Sequence, residues 1–204
     1  MLNKPETTKR AESAVTVGWW IVGLIAVSMG VMLWLSPVGD LREELGYALR
    51  ISARFAFFAL LLAYIARPWQ QLTGSGRWLL RHRRYFGLAA ALTHTVHFGY
   101  IVALYVLTDE VLEAVTAVFG GLAYVMIWFM ALTSNRASQQ RLGTWWSRLH
   151  RFGMHYLWFI FMQSFAGRAI AEGDSLYVAI AAAGLAALML RIAASLRQRF
   201  RRTA

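Results

Sequence analysis

Apolar positions along this chain neither alternate nor trace a single stripe. They fill whole stretches, at roughly 17–35, 46–66, 85–107, 111–132, 149–166 and 176–194. Each has about the 17–25 residues that an α-helix needs to cross a bilayer. Ser36-Pro37 closes the first stretch, Arg67-Pro68 closes the second, and glycines mark other connections. The pattern predicts an all-α integral membrane protein, a bundle of six transmembrane helices. A polar segment over 1–16 precedes a single membrane domain over 17–195, and a basic tail occupies 196–204. The opening segment is mixed in charge, and the first apolar stretch is too long for the core of a cleavable signal.

Charge orients these spans. With the N-terminus in the cytoplasm, the inner segments carry Lys4, Lys9 and Arg10, then Arg67, Arg77, Arg81, Arg83 and Arg84. They also carry Arg136, Arg141, Arg148 and Arg151, and finally Arg191, Arg197, Arg199, Arg201 and Arg202. The outer connections hold only Arg42 and Arg168. Of the 10 acidic residues, all but Glu6 and Glu12 fall on the outer side. A bias of this sign at every connection is the positive-inside pattern. It predicts that both termini are cytoplasmic and that the protein is a multi-pass membrane component.

Composition agrees. The chain is 58% hydrophobic and only 15% charged, against about 45–50% and about 25% in soluble domains. Nine Trp and eight Tyr suit the two membrane–water interfaces. The absence of cysteine removes disulfides, Fe–S clusters and thiolate zinc sites. A net charge of +11 would suggest nucleic acid as a partner of a soluble protein. Here the basic residues lie at span ends, and membrane lipid is the expected partner, with the tail Arg197–Arg202 held at anionic headgroups. No dinucleotide fingerprint, phosphate loop or Ser/His/Asp pattern is present.

Candidate chemistry lies inside the spans, where ionisable residues are rare and mark function. His94 and His97 sit in the third span, three residues apart and so on nearly one helix face. His150 and His155 sit in the fifth. Both spans run outward, so imidazoles from the two can face a common centre, the arrangement that holds metal cofactors in helix bundles. His97 lies about 20 Å along the helix from Arg84, too deep for an interface residue. His150, flanked by Arg148 and Arg151, also fits an inner-surface position. His82, in Arg81-His82-Arg83, reads as a solvated residue. Arg50 and Arg54 lie within the second span. Arg54 matches the depth of His97, so a haem there would find a guanidinium for its propionates. The alternative for both is snorkelling to the outer surface.

These residues resemble a known family. Arg83, Arg84, Gly87 and Leu88, with His97 ten residues after the glycine, look like the third helix of the ferric reductase-like transmembrane domain. Within it they are similar to the haem-binding membrane subunits of bacterial methionine sulfoxide reductase systems (the MsrQ type). Gly46-Tyr47-Ala48-Leu49-Arg50 resembles the start of the family's second helix. Leu132-Thr133-Ser134-Asn135, Gln140-Arg141-Leu142-Gly143 and Trp146-Ser147-Arg148-Leu149-His150 resemble its entry to the fifth.

The resemblance implies a b-type cytochrome with haem b held by histidines of the third and fifth helices. His97 and His150 fall on ligand positions. A further family ligand, 13 residues after His150, is replaced here by Gln163, and His155 is the substitute the sequence offers. The expectation is one haem on His97 and His155, with room for a second near His150. Electrons would come from quinol or a separate flavoprotein, with quinone or flavin as further cofactor candidates, and would pass to a periplasmic reductase partner. Two rival functions stand beside this one. One is direct ferric or cupric reduction at the outer face. The other is a haem-free scaffold or transporter whose histidines bind protons or a metal.

Overall fold

The computed structural model describes the backbone of residues 4–37 and 39–203, with side chains from residue 12 to residue 201. Lys4, Lys9, Arg10 and Arg202, used above for orientation, lie outside the described side chains. The described residues form seven helices: α1 (Lys4–Trp34), α2 (Leu41–Thr73), α3 (Arg77–Leu107), α4 (Ala114–Leu132), the short α5 (Arg136–Leu142), α6 (Thr144–Glu172) and α7 (Ser175–Thr203). Five of them, α1, α2, α3, α4 and α7, are long and apolar enough to cross a membrane. At 29 residues α6 is as long as α7, but His150, His155, Gln163 and Arg168 interrupt its apolar run. The chain is thus a multi-pass, all-α membrane protein. Its outer surface fits this reading: large apolar side chains such as Trp34 (83% exposed) and Ile170 (86%) cover the bundle, as expected where lipid is the solvent.

The helices overrun the apolar stretches. Arg67-Pro68 does not end the second helix, which continues to Thr73 with Pro68 inside it. Proline removes one N–H from the helical ladder and frees the carbonyl four residues back, here that of Tyr64. Arg191 Nη1 of α7 donates to the Tyr64 carbonyl at 3.3 Å, and Arg83 Nε of α3 donates to the adjacent Ala63 carbonyl at 3.0 Å. Two guanidiniums from flanking helices therefore cover the carbonyls next to the break, and α2 extends past it. The turn that ends α2 is made at Gly74 and Gly76, with φ of 73° and 77°, a conformation open to glycine without strain.

α2 is the centre of the bundle. It packs along α3 over most of its length and also touches α1, α6 and α7, while α4 bridges α3 and α6. Phe57 and Leu60 on α2 meet Leu157, Phe161 and Phe165 on α6 in one core. Polar ties cross between helices: Trp128 Nε1 of α4 to Thr95 Oγ1 of α3 at 3.0 Å, Tyr156 of α6 to the Phe119 carbonyl of α4 at 2.9 Å, and Trp158 of α6 to the Gly184 carbonyl of α7 at 2.9 Å. α3 and α6 have no backbone contact with one another. They stand apart, with side chains between them.

The bundle has a basic end, formed by the α2–α3 turn, α5 and the end of α7, and an acidic end at the other connections. At the acidic end Arg42 pairs with Glu110, joining the start of α2 to the α3–α4 connection. Gly18 of α1 lies against the ring of Tyr85, and a Cβ there would overlap the ring atoms. Gly18→Val is expected to separate α1 from α3 at a cost of about 1–3 kcal/mol. Denaturant unfolding in micelles measures this, and an unchanged midpoint would contradict the packing.

Candidate functional site

Each histidine singled out in the sequence has a definite place. His97 is half-buried, its Nδ1 3.1 Å from Ser52 Oγ of α2. The single hydroxyl proton of Ser52 goes to the Ala48 carbonyl at 2.7 Å, so His97 Nδ1–H donates to Ser52 and Nε2 keeps its lone pair. His94 is buried beside it, with ring centroids 5.6 Å apart. Across the α3–α6 gap His94 meets Phe161 at 5.3 Å, and its Nδ1 has no hydrogen-bond partner.

His150 is fixed in the same way as His97. Its Nε2 is 3.2 Å from Thr133 Oγ1, whose proton goes to the Phe129 carbonyl at 2.6 Å. Nε2–H therefore donates and Nδ1 keeps its lone pair; either nitrogen of histidine can ligate a metal. Trp146 stacks on the ring at 4.2 Å.

His155 is elsewhere. It is exposed on the side of α6 toward α2 and α7, with Nδ1 3.0 Å from the Tyr64 hydroxyl. Its partner Tyr64 is 12 residues from Ser52, the partner of His97, which is about 18 Å along α2. Two imidazoles that far apart cannot share one iron, so the expected pairing of His97 with His155 does not form. Registry explains the difference. His94 faces Phe161, so the level of His97 on α6 falls near Gln163 and Ser164, about two turns beyond His155. Counting residues from assumed span ends misplaces the two helices relative to one another.

His82 also departs from expectation. It is only 3% exposed, because α3 begins at Arg77 and puts it in the second helical turn instead of a loop. Its Nδ1–H donates to the Trp78 carbonyl at 2.8 Å, and Nε2 has no partner. Arg54 does not serve His97. It lies two residues from Ser52 on α2, about 200° around the helix, and its guanidinium sits 5.3 Å from the Tyr177 ring of α7. Arg50 is exposed, one turn nearer the acidic end.

A cavity of about 340 Å³ lies between α2, α3, α4 and α6 at the basic end, within the range of about 300–1,000 Å³ typical of cofactor sites. His150 and Met154 line it from α6, Arg83, Arg84 and Gly87 from α3, and Arg136 from α5. A Cβ at Gly87 would meet nothing within 4 Å, so the helix offers a bare backbone face to the cavity that His150 also lines. The sequence signals for this site were present in Gly87, the Arg pair and His150. The contributions of Met130, Met154 and α5 were missed, since nothing in their local pattern distinguishes them from ordinary core or loop residues.

Whether haem, the group implied by the resemblance, fits these residues depends on the level. In the cavity the donor set suits it: an oriented imidazole, the thioethers of Met130 and Met154, an open glycine face and guanidiniums matched to carboxylates. At the level of His97 the α6 residues are Gln163 and Ser164, an amide and a hydroxyl in place of an imidazole. Among the described residues no three His, Asp or Glu side chains gather as a metal site. No family model matches the chain, and no solved structure matches it.

Proposed function

We propose that this chain is a six-span b-type cytochrome of a bacterial inner membrane, with both termini cytoplasmic, that carries electrons from a quinol or flavoprotein donor toward a periplasmic acceptor. The observation that supports the reading is the cavity that His150 lines together with the bare backbone of Gly87 and a group of arginines. α6 serves as the sixth span. Its 29 residues make about 43 Å of helix, and it packs between α4 and α7. The Arg42–Glu110 pair supports placing the α1–α2 and α3–α4 connections on one side of the membrane.

Haem, when bound, supplies one-electron chemistry at its iron. The chain supplies the rest. His150 would hold the iron through a ring nitrogen, its ring positioned by Thr133 and Trp146. Arg83, Arg84 and Arg136 would neutralise propionates at the basic end. The apolar walls from Leu60, Ala63 and Ile127 would exclude water and so help to set the potential. His94 and His97 continue the imidazole series along α3 toward the acidic end.

A pyridine haemochrome assay with the single histidine variants tests this reading. His150→Ala is expected to lose the haem of the cavity, and His155→Ala to retain it. His97→Ala separates one haem from two: unchanged stoichiometry assigns all haem to the cavity, and half occupancy puts a second haem at His97. A colourless protein from haem-replete cells, or full occupancy in His150→Ala, would overturn the proposal.

A further inference from the structure

At the acidic end, on the side of α2 turned away from His97, two guanidiniums meet one phenol. Arg54 of α2 stands 5.3 Å and Arg168 of α6 5.7 Å from the ring centroid of Tyr177, in the first turn of α7. Tyr177 is 3% exposed, and its hydroxyl has no hydrogen-bond partner; neither has the buried Nε of Arg54. Burying such donors unpaired is unfavourable. The nearby carboxylates are engaged. Glu172 pairs with Arg168 at 3.3 Å, and Asp174 accepts from the Leu176 N–H at 2.7 Å. Among the described residues no carboxylate forms an ion pair with Arg54. Arg50, four residues earlier, lies on the same face of α2. Three cations against the two carboxylates Glu172 and Asp174 leave a net positive charge at this end of the bundle, beside apolar Phe165.

We propose that Arg54, Arg168 and Tyr177 form a binding site for a phosphate-bearing anion, with Arg50 at its rim. Guanidinium forks match phosphate oxygens bidentately, the phenol supplies a third donor, and the start of α7 adds the positive end of a helix dipole. Arg168 and Arg50 are exposed at this end of the bundle, a position that suits the headgroup of an anionic phospholipid, with the buried phenol and Arg54 Nε reached by local opening. A free phosphate has the same chemistry. The site is separate from the cavity, because it lies between α2, α6 and α7, whereas the cavity is lined from α2, α3, α4 and α6 and holds no residue of α7.

Thermal unfolding of the full chain tests this in phosphatidylcholine nanodiscs, in discs doped with phosphatidylglycerol, and in phosphatidylcholine discs with added inorganic phosphate. The doped discs are expected to raise Tm in the wild type. The R54Q/R168Q variant should lose about 3–6 °C of that rise, and Tyr177→Phe, which keeps the ring, should lose a smaller part. Stabilisation by phosphatidylglycerol alone assigns the site to a headgroup. Equal stabilisation by inorganic phosphate, lost in the same variants, assigns it to a free anion. If both variants respond to each addition as the wild type does, the site does not exist. Should R54Q/R168Q fail to fold, the Tyr177→Phe response decides.

Discussion

Gly87→Leu is expected to give a folded, helical protein that no longer retains haem. A Cβ at this position meets no atom within 4 Å, so the backbone accepts a side chain without the collision that Gly18 would suffer. The added isobutyl group instead projects into the cavity of about 340 Å³ that His150 also lines. Filling that space removes room for a planar cofactor while covering apolar wall. The haem-free variant should therefore be as stable as the haem-free wild type, or more stable by about 1 kcal/mol. Absorbance after reconstitution with hemin measures the first effect, and denaturant unfolding of the haem-free proteins the second. Loss of haem together with loss of fold would point to a packing role for Gly87. Full haem retention would place the cofactor elsewhere.

Arg191→Met should destabilise the bundle by about 1.5–3 kcal/mol, the range for a hydrogen bond from a charged donor to a group left buried without it. Arg191 donates to the Tyr64 carbonyl that Pro68 deprives of its helical partner, and its guanidinium lies 4.4 Å from the Tyr64 ring centroid. Methionine keeps most of the side-chain length and removes the donor. The same change in a Pro68→Ala background should cost about 1 kcal/mol less, since the restored N–H of residue 68 then serves that carbonyl. The double-mutant cycle isolates the link between a proline on α2 and an arginine on α7. Equal costs in the two backgrounds would show that Arg191 acts only through its contact with the Tyr64 ring.

Much of the architecture is legible in the residues themselves. Every predicted apolar stretch lies largely within one long helix, because about 20 apolar residues without a break have no other way to satisfy their backbone in lipid. Helix ends are less legible. Pro68 reads as a terminator, and it would be one if Arg83 and Arg191 did not arrive from helices distant in sequence to cover the carbonyls beside it. His82 reads as solvated because its neighbours are basic, yet helix α3 turns it inward while Arg81 stays at the surface. α6 is the least legible helix, since His150, His155, Gln163 and Arg168 dilute its hydropathy.

The sequence alone determined that the chain is a multi-helix membrane protein with imidazoles in its interior, since composition and span length depend only on local residue identity. Which imidazole faces which helix was decided by the tertiary structure. The axial registry of α3 against α6 is set by the packing of both on α2, through contacts such as His97 with Ser52 and Tyr64 with His155. A shift of two turns between packed helices leaves the hydropathy pattern unchanged, yet it brings His97 level with Gln163 and Ser164 and puts His150 in the cavity that Gly87 also lines. Registry depends on the fit of side chains from separate parts of the chain, and no single segment encodes it.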